Sequence, residues 1–313
     1  MGRFLWQGDK RYNDFSGYFR RKFEDRVQKI SVDSGFTCPN RDGSKGTGGC
    51  NYCNNQTFSP AYCHLEKSVT TQLTEGIEFF SRKYASMRYL AYFQAYSNTY
   101  APLVILKMLY EEALSHPQVI GLVIATRPDC LTVEILDYLQ LLAQKYYIMV
   151  EFGVESHKDQ TLERINRGHT FDESEKAIHE TARRNIHNCA HLILGLPGET
   201  EGDWLDQARE ISKLPVENLK LHQLQIHKNT RMYKEYLQNP EQFHLFTVDG
   251  YLELIVLYLE LLNPDIVVER FVSESPDDLL VAPRWGLKNF EFTAKLEKLL
   301  EAKDTWQGRL FQK

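Results

Sequence analysis

Residues 36–58 read FTCPNRDGSKGTGGCNYCNNQTF. This stretch places Cys38, Cys50 and Cys53 in a loop rich in Gly, Asp and Asn, the last two as a C-x-x-C pair. Thiolates are soft ligands that select zinc or iron–sulfur clusters. Three of them, not four, suit a four-iron cluster with one iron left open to bind and activate a small molecule. The same spacing suits a closed zinc site built from these three and either Cys63 or His64. A redox dithiol fits less well, because no thioredoxin-like βαβ unit starts here. From spacing alone, zinc and cluster remain equally open.

Outward from the loop, strand-like and helix-like segments alternate. Val27–Val32 reads as a strand leading into the cysteines, and Val69–Tyr84 as a helix. Strands follow at Tyr89–Gln94, Val119–Ala125, Tyr147–Val154, His191–Leu194 and Leu219–Ile226. Helices fall between them at Pro102–Ser115, Val133–Gln144, Asp159–Ile165, Asp172–Asn185 and Glu201–Lys213. Alternation of this kind means βαβ units and a parallel sheet. Six units predict an α/β fold, a partial (β/α)6 TIM-like barrel over residues 27–230. A basic, aromatic N-terminal extension precedes it at 1–26. A C-terminal cap follows at 231–313, where Val248–Leu262 and Phe292–Ala302 read as helices.

In a β/α barrel, chemistry gathers at the C-terminal ends of the strands. Those ends carry SGFTCPN, FQAYSNTY, ATRPDC, EFGVES, LGLPGET and LHQLQIHK, polar and Gly-rich beside the apolar runs before them. Arg127, Asp129, His222, Gln225, His227 and Lys228 therefore point to one mouth as candidates for substrate recognition or proton transfer. Cys63 and Cys189 read as buried, inert thiols. Cys130 stands closer to the expected mouth.

The chain has 313 residues, 42% hydrophobic, with a net charge of −5, so it is no polycation and any nucleic-acid contact is local. The basic places are the two ends, and at the first Arg20, Arg21 and Lys22 follow Phe15, Tyr18 and Phe19. No apolar leader and no run of membrane length is visible, which predicts a cytoplasmic protein with no membrane partner. Six cysteines in such a chain read as ligands or thiols, not disulfides.

The pattern C…C-x-aromatic-C after the first strand, with Tyr52 before Cys53, resembles the radical S-adenosylmethionine (SAM) superfamily. The gap of eleven residues between Cys38 and Cys50 is longer than that family's usual three. It is similar to the YtqA/YhcC-type subgroup, as are YFQAYSNTY, ATRPDC, EFGVES, INRGHT, LILGLPGET, LKLHQL, VVER and APRW. The resemblance implies a [4Fe–4S] cluster on Cys38, Cys50 and Cys53. It implies SAM on the open iron, and reductive cleavage of SAM to a 5′-deoxyadenosyl radical. It implies an external electron donor such as flavodoxin or ferredoxin. For SAM it implies contacts from Tyr52, Gln94, Ser97 and Asn98, ribose contacts from Glu155, a carboxylate contact from Arg167, and an adenine wall at Gly195. Arg127 and His222 are its candidate catalytic side chains beside the cysteines. ATRPDC is similar to tRNA-acting Elongator-type enzymes. This implies tRNA as a partner, at the wobble-uridine step from carboxymethylaminomethyl to aminomethyl. The rivals are a small-molecule substrate and a zinc-stabilised binding protein without activity.

Overall fold

The computed structural model describes residues 4–55, 60, 62–82 and 87–312. Its strands are β1 (Val27–Val32), β2 (Arg88–Phe93), β3 (Val119–Thr126), β4 (Tyr147–Glu155), β5 (His187–Leu194), β6 (Asn218–Gln223), β7 (Ile226–His227), β8 (Val267–Arg270) and β9 (Leu280–Ala282). Its helices are α1 (Phe15–Phe23), α2 (Val69–Ser81), α3 (Leu103–Ser115), α4 (Val133–Ala143), α5 (Asp159–Arg164), α6 (Phe171–Arg183), α7 (Glu201–Lys213), α8 (Arg231–Gln238), α9 (Val248–Leu261) and α10 (Asn289–Ala302). Seven strands form one curled half-barrel in the order β1-β2-β3-β4-β5-β6-β8. Every neighbouring pair is parallel.

All six expected strands are present. The seventh, β8, is the VVER stretch, within a region that reads as helical. Four residues are too short for a period-2 pattern to stand out. The helix expected over Val69–Tyr84 runs to Ser81, and residues 83 and 84 lie outside the described residues. The strands are apolar because both faces are covered. Leu122, Ile124, Val150, Phe152, Leu192 and Leu221 pack outward under the helices in one continuous core. Helix starts are marked by caps: Thr170 with Glu173 and Thr200 with Asp203 each close a capping box.

Alternate residues point into the lumen. Leu90, Val123, Met149 and Cys189 form an apolar layer there with Phe19 of α1. Phe19 is 2% exposed, with its ring 5.4 Å from that of Tyr147 at the start of β4. Lys22 reaches His187 at the start of β5. Helix α1 therefore plugs the barrel at the N-terminal ends of the strands. The basic, aromatic N-terminus, which suits base stacking in the sequence, turns its rings into the protein at the end opposite the cysteines. Around it the chain ends are tied together. Val268 of β8 donates to the Asn13 carbonyl at 2.8 Å, and Gln307 accepts from the Asn13 amide at 2.9 Å.

Candidate active site

The cysteine loop leaves β1 and folds over the C-terminal ends of the strands. Backbone hydrogen bonds turn it tightly, from Arg41 to the Cys38 carbonyl at 2.8 Å and from Gly49 to Asn40 at 2.7 Å. Gly48 and Gly49 both have φ near +80°, a conformation that costs glycine nothing. The loop is then clasped from outside. Asn51 donates to the Ile165 carbonyl at the end of α5, and Met232 of α8 donates to Asn51, both at 2.9 Å. Arg231 reaches the Thr47 carbonyl at 3.0 Å. Cys38 and Cys50 are buried and Cys53 is half-buried.

The three cysteines stand at the rim of an open cleft with an empty volume of about 1180 Å³, counting its solvent-open part. Tyr52, Gln94, Ser97, Arg127, Glu155, Arg167, His222, Gln225 and His227 share its wall. Asn98 and Gly195 are not on that wall. The Asn98 side-chain amide donates to the Ala125 carbonyl at 2.8 Å, which ties the loop after β2 to β3. A Cβ on Gly195 meets Phe246 at 2.9 Å and the His244 carbonyl at 3.0 Å, so that glycine serves packing. Lys228 is exposed outside the cleft.

The donor set separates the metal readings. Among the described residues, the three loop thiols do not all lie within 4.8 Å of one another. Two thiolates on one zinc stand at most about 4.6 Å apart, twice a Zn–S bond. A single ion does not reach all three here, whereas a cluster offers each thiolate its own iron. Arg167 and Asn40 donate to Cys50 Sγ at 3.5 Å and 3.7 Å, the first bringing positive charge to the sulfur. Burial and the neighbouring Cys50 push the Cys53 thiol up to about 11. Ser97 Oγ is buried without a hydrogen-bond partner of normal geometry, its neighbour being the weak Cys130 thiol. A buried hydroxyl facing a cleft in this state fits a polar ligand.

Glu155 and Arg167 meet across the upper cleft. Glu155 ends β4 with φ +69°, uncommon for a side chain with a Cβ, at a register shift between β4 and β5. Its carboxylate is 3.7 Å from Arg167 Nη2. Burial raises its pKa, against the opposing charge of Arg167 and a hydrogen bond from Tyr52. Arg167 also donates to the Gly153 carbonyl at 2.6 Å. A Cβ on Gly153 meets Arg167 Nη2 at 2.5 Å and Glu155 Oε1 at 2.7 Å, so only glycine leaves room for the pair.

Arg127 is one turn removed from this chemistry. Its Nε and Nη2 fork the Asp129 carboxylate at 2.8 Å each, and Nη1 donates to the Arg167 carbonyl at 2.6 Å. Arg127 lines the cleft, and its guanidinium donors are spent on Asp129 and the Arg167 carbonyl. Asp129, raised by burial but held by Arg127 and Lys45, falls to about 2 and stays ionised.

At and beneath the floor of the cleft, beside His222, lie charged groups that motif reading did not single out. Lys29 Nζ contacts Glu151 at 2.6 Å and Glu269 at 2.5 Å. Lys220 Nζ contacts Glu151 at 2.7 Å and Glu269 at 3.1 Å. His191 contacts Glu151 at 3.1 Å. Glu151, Cys189 and His191 have ligand atoms close enough for an ion, but two ammonium groups already hold Glu151. His222 bridges Ser273 Oγ and Arg270 Nη2, the latter at 3.3 Å. Burial and the charge of Arg270 hold its pKa well below the usual histidine range, so the ring is neutral. The available signal for Lys220 was parity: it alternates along β6 with His222, between the apolar Leu219 and Leu221.

Residues 40–211 match the family model of the radical SAM superfamily, and residues 216–302 match the Radical SAM C-terminal domain. The chain belongs to the radical SAM superfamily. It is 33% identical over 305 residues to the uncharacterized protein YtqA of Bacillus subtilis, covering 97% of this chain and 94% of that one. The protein YhcC of Escherichia coli K12 is 32% identical, covering 94% of each. Among solved structures, Elp3 of the archaeon Methanocaldococcus infernus superposes with a TM-score of 0.70 at 15% identity. That match covers 90% of this chain and 64% of Elp3, and it shows a shared radical SAM fold. No helix among the described residues is long and apolar enough to cross a membrane.

Proposed function

We propose that this radical SAM chain is an enzyme that holds a [4Fe–4S] cluster on Cys38, Cys50 and Cys53 and binds SAM beside it. The observation that carries this reading is the convergence of three thiols, too dispersed for one ion, on the rim of a cleft lined by unpartnered polar groups. When bound, the reduced cluster supplies the electron that cleaves the SAM sulfonium to a 5′-deoxyadenosyl radical. The chain's own residues bind and orient. Ser97 and Gln94 face the cleft from the end of β2 and are placed for the amino-acid part of SAM. Glu155, with Tyr52 bonded to it, is an acceptor for ribose hydroxyls. Arg167 brings positive charge to Cys50, and Arg127 holds Arg167 through its carbonyl. Walls of Ile193 and Leu224 exclude water from the reacting atoms.

The test is anaerobic reconstitution with iron and sulfide, reduction, addition of SAM, and assay of 5′-deoxyadenosine. Product from the wild type, and none from the Cys38/Cys50/Cys53→Ala triple variant, is the expected result. No product from a cluster-loaded wild type overturns the reading. For the substrate we propose tRNA wobble uridine, at the step from carboxymethylaminomethyl to aminomethyl, supported by the likeness of ATRPDC to Elongator-type enzymes. The rings of α1 are used in packing, while Arg20, Arg21 and Lys22 stay exposed at the end opposite the cysteines. Mass spectrometry of nucleosides from tRNA incubated with the enzyme checks it: an unchanged carboxymethylaminomethyluridine pool contradicts it.

A further inference from the structure

The floor of the cleft is unbalanced in charge. Three cations, Lys29, Lys220 and Arg270, face two carboxylates, Glu151 and Glu269. Both lysines contact both carboxylates, at 2.5–3.1 Å. His191 and His222 do not offset the excess, because both are neutral. Arg270 makes no ion pair with any described residue. Its Nε is buried and without a hydrogen-bond partner. The rest of the side chain is only half-buried, so the unmet need is local: a buried N–H donor of a cation with no anion beside it, which a partner in the cleft would satisfy.

The contacts of Arg270 also set a second donor. Arg270 Nη2 donates to His222 Nε2 at 3.3 Å. That nitrogen is then the acceptor, and Nδ1–H donates to Ser273 Oγ. The Ser273 hydroxyl then keeps its own proton to donate, in a residue that lines the cleft. The backbone of Ser273 is fixed separately, its amide donating to Gln223 Oε1 at 2.9 Å and its carbonyl accepting from Gln223 and Gln225 at 3.2 and 3.3 Å. Arg270 and Ser273 both line the cleft, and each keeps a donor for an acceptor placed there.

We propose that Arg270 and Ser273 form a subsite for a carboxylate of the substrate, with His222 as the positioning residue between them. One unmatched positive charge suits a monoanion better than a phosphate dianion, and a guanidinium forks a carboxylate. The mouth has its own guanidinium, Arg167, beside Cys50, which leaves Arg270 for the second molecule. This assignment rests on the proposed radical SAM activity and names the chemistry of its substrate.

The test uses the reconstituted protein under anaerobic conditions, with acetate, inorganic phosphate and chloride as probes at equal ionic strength. Acetate at 100-fold excess over its Kd raises the wild-type Tm by about 4 °C, phosphate and chloride do not, and saturating SAM leaves the acetate effect in place. Arg270→Gln keeps a donor for His222. It loses the acetate response, and without added anion its Tm equals or exceeds that of the wild type, because a cation with an unpartnered N–H and no counterion is gone. A lower Tm for Arg270→Gln assigns Arg270 to the fold and overturns the proposal. So does an acetate response equal in both proteins, a response to phosphate alone, or an acetate effect that SAM abolishes. Formation of 5′-deoxyadenosine is read in the same wild-type preparation. A wild type that cleaves SAM but ignores acetate fails the subsite alone, whereas one that does not cleave SAM fails the activity reading.

Discussion

Gly153 holds the upper cleft open by lacking one carbon. Gly153→Ala forces Arg167 and Glu155 apart, since the new methyl lies 2.5 Å from one and 2.7 Å from the other. Both obstacles are ends of flexible side chains, so the fold tolerates the change while the pair does not. The expected result is a Tm within a few degrees of the wild type and SAM affinity lower by about tenfold, roughly 1.4 kcal/mol. Equilibrium dialysis with SAM checks it, and undiminished affinity removes the Glu155–Arg167 pair from the SAM site. At this scale the sequence revealed residue types better than their partners. Cys38, Cys50, Cys53, Ser97, Glu155 and Arg167 all reach the cleft, because loop motifs at strand ends are local. Asn98 and Gly195 face neighbours that only the tertiary fold supplies, and Arg127, though on the cleft wall, spends its donors on Asp129 and Arg167. Arg270 was invisible, because its meaning depends on the ion pairs that Lys29, Lys220, Glu151 and Glu269 make without it.

The elements show which contacts hold the barrel. Gly121 lies where β3 meets β4, and a Cβ there falls 1.9 Å from the Tyr147 carbonyl. Here the obstacle is backbone, which moves only with its strand. Gly121→Ala is expected to destabilise the fold by 2 kcal/mol or more, at the large end of single substitutions. Denaturant titration reads that as a lower midpoint, and an unshifted midpoint contradicts the tight β3–β4 pairing. Phe19→Ala opens the plug in α1 and is expected to cost about 3–5 kcal/mol in the same titration. A loss below 1 kcal/mol contradicts the plug and assigns α1 to the surface. The six expected strands were legible as apolar runs between turn signals. The packing of α1 was not, because Phe19 and Tyr147 are 128 residues apart in sequence and nothing local links them. Strand β8 was too short to read.

The whole molecule places neutral histidines beside fixed charges in its lumen, and this makes it acid-sensitive. Burial and the charge of Lys220, against the hydrogen bond to Glu151, lower the pKa of His191 from the usual 6.5 to about 4. Below 6.5 the unfolded chain takes a proton there that the fold refuses until about pH 4. Stability from this group is complete above pH 6.5 and is lost as pH falls toward 4, by up to about 3 kcal/mol. Melts at pH 4 to 7.5 should show that slope, reduced in His191→Gln. A wild type equally stable across the range contradicts a buried neutral His191.

The central claim is that three thiols hold a cluster with one iron open to SAM. The measurement is the electron paramagnetic resonance spectrum of the reduced protein before and after SAM is added, beside iron, sulfide and zinc analysis of the same sample. The account predicts about four iron and four sulfide per chain and a cluster signal that changes when SAM binds. One zinc per chain, or a cluster signal indifferent to SAM, would contradict it.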